Sequence, residues 1–213
     1  MTPGRFIVFE GGEGTGKTTQ ARLLVERLQA AGVDAIAVRE PGGTLVGEAM
    51  RTIVLDPASE GLDQRAELLL YEASRAQHVV QVIRPALAAG TWVVCDRFAE
   101  SSVAYQGYGR GIDLDLVNAL NDFATAGLAP ALTVLIDLDA ALGLHRATGA
   151  GADRLEAAGL AFHERVRAGY LEIAKEPGHV VVDGSGTVGE VAQAVWGAVV
   201  ALDPVLDAPQ GGR

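Results

Sequence analysis

Five short apolar runs, separated by longer amphipathic stretches, constrain this chain more than any other feature. They are Arg5–Glu10 (RFIVFE), Val33–Glu40 (VDAIAVRE), Thr91–Asp96 (TWVVCD), Ala131–Leu138 (ALTVLIDL) and His179–Gly184 (HVVVDG). Helical periodicity fills intervals between them at about Lys17–Ala31, Leu45–Val54 and Asp63–Ala89, and follows the last run at Val188–Val200. Near-continuous apolar strands separated by helices imply a parallel sheet covered on both faces. The expected fold is therefore α/β, a doubly wound five-stranded parallel sheet with helices on both sides. With no internal repeat or linker visible, the 213 residues are read as one domain, 1–213, whose tail frays from about 203 to 213.

Between the first run and the first helix stands FEGGEGTGKTTQ, Phe9 to Gln20. Gly11-x-x-x-x-Gly16-Lys17-Thr18 meets the phosphate-loop pattern, with a strand before it and a helix after it. The loop Gly11, Gly12, Glu13, Gly14, Thr15, Gly16 can turn with its N–H groups inward, and the helix N-terminus adds partial positive charge. Lys17 is expected to reach the β- and γ-phosphates of a nucleoside triphosphate, and the Thr18 hydroxyl to ligate Mg²⁺. Only one other lysine, Lys175, exists in the chain, so its placement here is not a matter of abundance. The loop predicts nucleotide binding and leaves open what is done with the phosphate.

Charge narrows the partners. A net charge of −10 argues against a nucleic-acid or membrane-surface binder, because no basic excess exists to neutralise phosphates along a polymer. The single cysteine, Cys95, excludes an internal disulfide and fits a reducing cytosol, and the four scattered histidines spell out no metal cage. The start MTPGRFIVFEGG lacks signal-peptide regions and no run of about 18 apolar residues appears, so a cytoplasmic protein is expected. Any anionic ligand must then be met by locally placed cations. Arg39, Arg97, Arg146 and Arg154 lie in the segments that end the second, third and fourth strands, beyond which ligands of open parallel sheets bind. Together with Arg75 they suit transfer of phosphate between two anionic small molecules. Arg146 and Arg154 flank ATGAGAD, which reads as a short lid at about 146–156. A nucleotide-dependent switch is the alternative class, but no Asn-Lys-x-Asp-type base reader is present.

The motifs FEGGEGTGKTTQ, REPGGT, LLYEASRAQH, DRFAESSVAYQG and DRLE, in that order, resemble those of bacterial thymidylate kinases, nucleoside monophosphate kinases of the phosphate-loop superfamily. The resemblance runs from about Arg5 to Val200. It implies transfer of the γ-phosphate of MgATP to dTMP, giving dTDP for DNA synthesis, and a homodimer. Carried over by position, Glu13 reaches the 3′-hydroxyl of the acceptor sugar, and Arg39 and Arg97 clamp the acceptor phosphate. Asp96 organises Mg²⁺ and its waters. Tyr71 stacks on thymine, Arg75 hydrogen-bonds the base, Ser102 lies near the pyrimidine edge, and Tyr105 packs where a ribose 2′-hydroxyl would fit. One branch of the family has an arginine inside the loop. Here that position is Gly14, so the lid is expected to supply the catalytic cation. The expectation puts Arg154 at the transferring phosphoryl group and Arg146 over the adenine or the ATP phosphates, with the reverse order left open. A kinase for another nucleoside monophosphate or small metabolite remains the rival on the same fold.

Overall fold

The computed structural model describes residues 4–147 and 153–207. Five strands form, β1 (Phe6–Glu10), β2 (Ala35–Arg39), β3 (Trp92–Asp96), β4 (Leu132–Asp137) and β5 (His179–Asp183), all parallel, in the order β2-β3-β1-β4-β5. Each strand falls within its expected run, shorter by at most three residues. Every residue of β1 is buried because it lies at the centre of the sheet with both faces covered. Its side chains alternate. Ile7 and Phe9 join Leu24 and Leu28 of α1 (Lys17–Ala30) and Val195 and Val199 of α9 (Val188–Leu202). Phe6 and Val8 face the other way, onto Val79, Ile83 and Phe98. One period-two run thus feeds two cores, and each such buried side chain stabilises the fold by roughly 1.5–3 kcal/mol.

The remaining helices are α2 (Leu45–Leu55), α3 (Gln64–His78), α4 (Arg84–Ala88), α5 (Ala99–Ser102), α6 (Leu114–Thr125), α7 (Ala140–Ala147) and α8 (Leu160–Ile173). The long expected helix Asp63–Ala89 is present as α3, a π-helical stretch at Val79–Ile83 and α4, with Pro85 early in α4, where its missing N–H is tolerated. Asp63 caps α3 by accepting from the Arg65 N–H, and Thr44 caps α2 by accepting from the Gly47 N–H. At the end of α9, Arg5 donates to Asp203 at 3.0 Å and Leu206 packs on the first core. Residues 208–213 of the expected tail, and 148–152 of the expected lid, lie outside the described residues.

Topology positions the site. β1 has β3 on one side and β4 on the other, so the strand order reverses there and opens a crevice beyond the strand carboxyl ends. Register aligns Phe9 with Asp96 and Arg39 with Asp96, bringing the glycine loop, β2 and β3 to one point.

Candidate active site

The loop after β1 is shaped by glycines in backbone conformations that other residues rarely take, with φ of 62° at Gly14 and 90° at Gly16. Gly16 starts α1 without a side-chain cap, leaving the first N–H groups of the helix for an anion. Lys17 is 6% exposed and donates to Gly12 O at 2.6 Å and Thr15 Oγ1 at 3.3 Å, which curls the ammonium back over the loop. Burial, with Arg97 adding to it, lowers its pKa to about 8, against the carboxylates nearby. The Thr18 hydroxyl donates to Asp96 Oδ2 at 2.5 Å. Two oxygen donors meeting on a wall of the crevice, at the foot of the loop, are the chemistry that Mg²⁺ accepts, so the residues fit that ion.

These groups open on a cavity of about 430 Å³. Gly14, Lys17 and Thr18 line its loop side, with Arg146 of α7 beside them. Its far side is built by Arg39, Tyr71, Ser102 and Tyr105, with Glu13, Asp96 and Arg97 where the two sides meet. Sequence reasoning missed Arg51, Ser101 and Gln106, which also line it. Arg51 lies one turn after Glu48 on α2, and the apolar setting of that helix masked it. Gln106 lies in the π-helical stretch Val103–Gly109, where α-helical periodicity gives no sign of which side faces the cavity.

Arg97 is the centre. It is one of two non-glycine residues among those described with positive φ, at 70°. Such a conformation costs on the order of 1–3 kcal/mol and is kept where surrounding contacts enforce it. The contacts are visible: Arg97 N–H donates to Phe9 O at 2.9 Å, and Glu10, buried below, accepts from Phe98 N–H at 2.8 Å and Ser101 Oγ at 2.7 Å. The Arg97 guanidinium reaches Gly11 O at 3.0 Å, Glu13 Oε1 at 2.9 Å, Tyr105 OH at 3.0 Å and Tyr170 OH at 3.2 Å. Burial pushes the Glu13 pKa up, but Arg97 and Lys17 outweigh it and hold it at about 2. For Glu10 burial wins, aided by Glu100, and its pKa rises to about 7. Tyr105 donates to Glu13 Oε1 at 2.5 Å.

Arg39 forks onto Glu48 at 3.3 and 3.1 Å, and Glu48 also accepts from Gly43 N–H at 2.8 Å. This pair is half exposed, so a phosphate can compete for the arginine. Arg75 differs. It is 1% exposed and donates to Glu40, Glu72, Ser102, Asn121 and Phe98 O, one layer behind the cavity wall. Arg154 also stands away from the loop, against Val54 O and Glu67. The expectation set it over the transferring group, with the reverse order of Arg146 and Arg154 left open; here a buried carboxylate and a helix end hold its donors.

Glu40, His78 and Cys95 bring donor atoms within 4.8 Å of one another. Both Glu40 oxygens are taken, by Arg75 at 2.9 Å and His78 Nδ1 at 3.1 Å, and the adjacent guanidinium opposes a second cation. The trio is a strut under the REPGGT turn, where a Cβ at Gly43 would stand 2.6 Å from His78 Nε2.

A family model for thymidylate kinase matches residues 9–195. The chain belongs to the thymidylate kinase family. It is 53% identical over 204 residues to a thymidylate kinase of Solidesulfovibrio magneticus, covering 91% of this chain and 98% of that one. It is 52% identical over 202 residues to one of Deinococcus radiodurans, covering 93% and 98%. The crystal structure of thymidylate kinase from Ehrlichia chaffeensis superposes with a TM-score of 0.77 at 36% identity, over 92% of this chain and all of that one. The enzyme phosphorylates dTMP, with ATP as donor, in nucleotide biosynthesis. Among the described residues no helix is long and apolar enough to cross a membrane.

Proposed function

We propose that ATP lies along Gly11–Gly16 and α1, that dTMP lies against the Tyr71–Tyr105 side, and that Arg97 sits at the junction where the phosphoryl group passes. The observation that carries this is the Arg97 guanidinium, which bonds the loop at Gly11 O and Glu13, the opposite wall at Tyr105, and the buried Tyr170. The acceptor phosphate, with a second pKa of about 6, is ionised at neutral pH and needs no general base. One of its oxygens attacks the γ-phosphorus, the bond to the β–γ bridging oxygen breaks, and ADP leaves with that electron pair. Lys17 and Arg146 neutralise charge from the donor side, Arg39 and Arg97 from the acceptor side. Thr18 and Asp96 would hold Mg²⁺, which when bound spreads the charge of the β- and γ-phosphates.

On the acceptor side, Tyr71 stacks on the base, Ser102 meets the pyrimidine edge, Tyr105 fills the place of a 2′-hydroxyl and Glu13 takes the 3′-hydroxyl. Direct contact between Arg75 and thymine requires Arg75 to exchange one of its protein partners for the base. The family's role points to the cytoplasm. A homodimer is also part of the reading. Leu69 on α3, Val80 just beyond it, and Leu116 and Phe123 on the neighbouring α6 are exposed apolar side chains, Phe123 being 85% exposed, and a second copy of the chain would cover them. Phe123→Asp should then sediment as a monomer. The principal test is ADP release with MgATP and dTMP, dUMP, UMP, dCMP, GMP or AMP as acceptor. Stimulation by dTMP, lowered on the order of a hundredfold in Arg97→Ala, supports these placements. Unchanged turnover in that variant removes Arg97 from the junction.

A further inference from the structure

We infer that Arg154 is a positioning residue of the acceptor wall, acting through Glu67 and Gln106, and that Arg146 rather than Arg154 is the cation of this segment that faces the phosphates. Arg154 makes three contacts with the wall. Its backbone N–H donates to Leu55 O at 3.2 Å, its Nε to Val54 O at 2.8 Å, and its Nη2 to Glu67 Oε2. Val54 and Leu55 are the last turn of α2, where carbonyls lack helical partners and the negative end of the helix dipole attracts a cation. A guanidinium with its donors in a planar fork fits both a carbonyl and a carboxylate there.

Glu67 explains why the arginine stays. It is fully buried on α3 and accepts from Gln106 Nε2 at 2.8 Å and Arg110 Nη2 at 3.2 Å as well as from Arg154. Arg110 is itself partly in solvent, at 24%, whereas the Arg154 side chain is at 8%. Swinging Arg154 out to a phosphate would leave a buried carboxylate short of its better-shielded partner, a strongly unfavourable change. The turn that carries Arg154 is pinned too. Asp153 Oδ1 accepts from the N–H groups of Leu155 and Glu156 at 2.8 Å each, and Leu155 is buried. Arg146 stands otherwise. It lines the cavity, donates to Gly184 O at 3.3 Å, and its Cβ lies 3.1 Å from where a Cβ would stand on Gly14 of the loop. Gln106 lines the same cavity, so the chain Arg154–Glu67–Gln106 runs from the end of α2 to the surface that meets dTMP.

The test is steady-state kinetics of Arg154→Met, Glu67→Gln, the double variant and Arg146→Met, with ATP and dTMP varied separately. It rests on the transfer reading above. Absence of dTMP-dependent ADP release from the unaltered enzyme would overturn that reading, whereas the pattern among variants decides this one. Arg154→Met should raise KM for dTMP about tenfold, equivalent to about 1.4 kcal/mol, with KM for ATP little moved. Glu67→Gln should do the same, and the double variant should be no worse than the poorer single, since both remove one interaction. Arg146→Met should instead lower kcat by about a hundredfold. If Arg154→Met fails to fold, Arg154→Lys takes its place: it keeps the charge, loses the fork, and should still show the raised KM for dTMP. A fall in kcat of about a hundredfold at position 154 with KM for dTMP unchanged, multiplying with the effect of Glu67→Gln, overturns the assignment.

Discussion

The two sides of the cavity are built by different means. The side proposed for the donor is one contiguous segment, Gly11–Thr18, which offers backbone N–H groups, a helix terminus and two side chains adjacent in sequence. The side proposed for the acceptor draws on α2, α3, the turn after β3, the π-helical stretch after α5, the 153–158 turn and α8, and at or behind its wall arginines are held by carboxylates. Arg75 has Glu40 and Glu72, Arg97 has Glu13, and Arg154 and Arg110 share Glu67. A triphosphate needs little more than a nest of donors. Recognising a particular nucleoside monophosphate needs side chains at fixed positions, and in this fold buried ion pairs supply the fixing.

That contrast predicts where substitutions hurt. The largest effect is expected on the acceptor side and in stability: Arg75→Met leaves Glu40 and Glu72 buried without their cation, costing about 3–5 kcal/mol, to be read from denaturant unfolding. A loss below about 1 kcal/mol would mean that the pairs contribute little beyond replaceable packing. On the donor side the effect moves to activity. Lys17→Ala should cut dTMP-dependent ADP release by on the order of a hundred- to a thousandfold while thermal unfolding shifts little. Near-normal turnover would break the division of labour.

A third test uses pH. The Glu10 pKa rises from its ordinary value of 4.5 to about 7 on folding. The folded chain therefore keeps a proton that the unfolded chain has lost, and stability falls as pH rises through that window. Glu10→Gln should have a flatter melting profile between these values. An unchanged slope would show that Glu10 is ionised in the fold at no cost. Next comes the seam between loop and α7. Gly14→Ala must adopt positive φ and place a Cβ 2.1 Å from Gly143 O, so unfolding free energy should drop by about 1 kcal/mol or more. The smallest effect serves as a control. Thr187 and Glu190 form a capping box on α9 and do not line the cavity, and Thr187→Ala should cost about 1 kcal/mol with both KM values unchanged.

Legibility followed the same division. The five strands, the loop and the alternation of elements are local patterns, and each was readable from its own residues. The helix directly after β3 was not, since α5 is a single turn running into a π-helical stretch, a spacing that matches neither standard period. Arg39 and Arg97 could be placed at the cavity because Arg39 ends β2 and Arg97 directly follows β3. What could not be read was which carboxylate each arginine meets: Glu67 lies 87 residues from Arg154, and Glu40 lies 35 from Arg75. Nothing in AELLLYEASRAQH distinguishes a glutamate that is fully buried from one on a solvated helix face.

The meeting of Gly14 with Gly143 also bears on how wasteful the enzyme is. With a Cβ excluded from Gly14, that position has no room for a side-chain cation, and beside it stands the Cβ of Arg146, three residues after Gly143 on the helix that presses on Gly14. Assembly of the donor side is thereby tied to the docking of α7. On the placement proposed for ATP, a γ-phosphate bound without α7 in place would lack the Arg146 charge, and its loss to water would gain nothing from it.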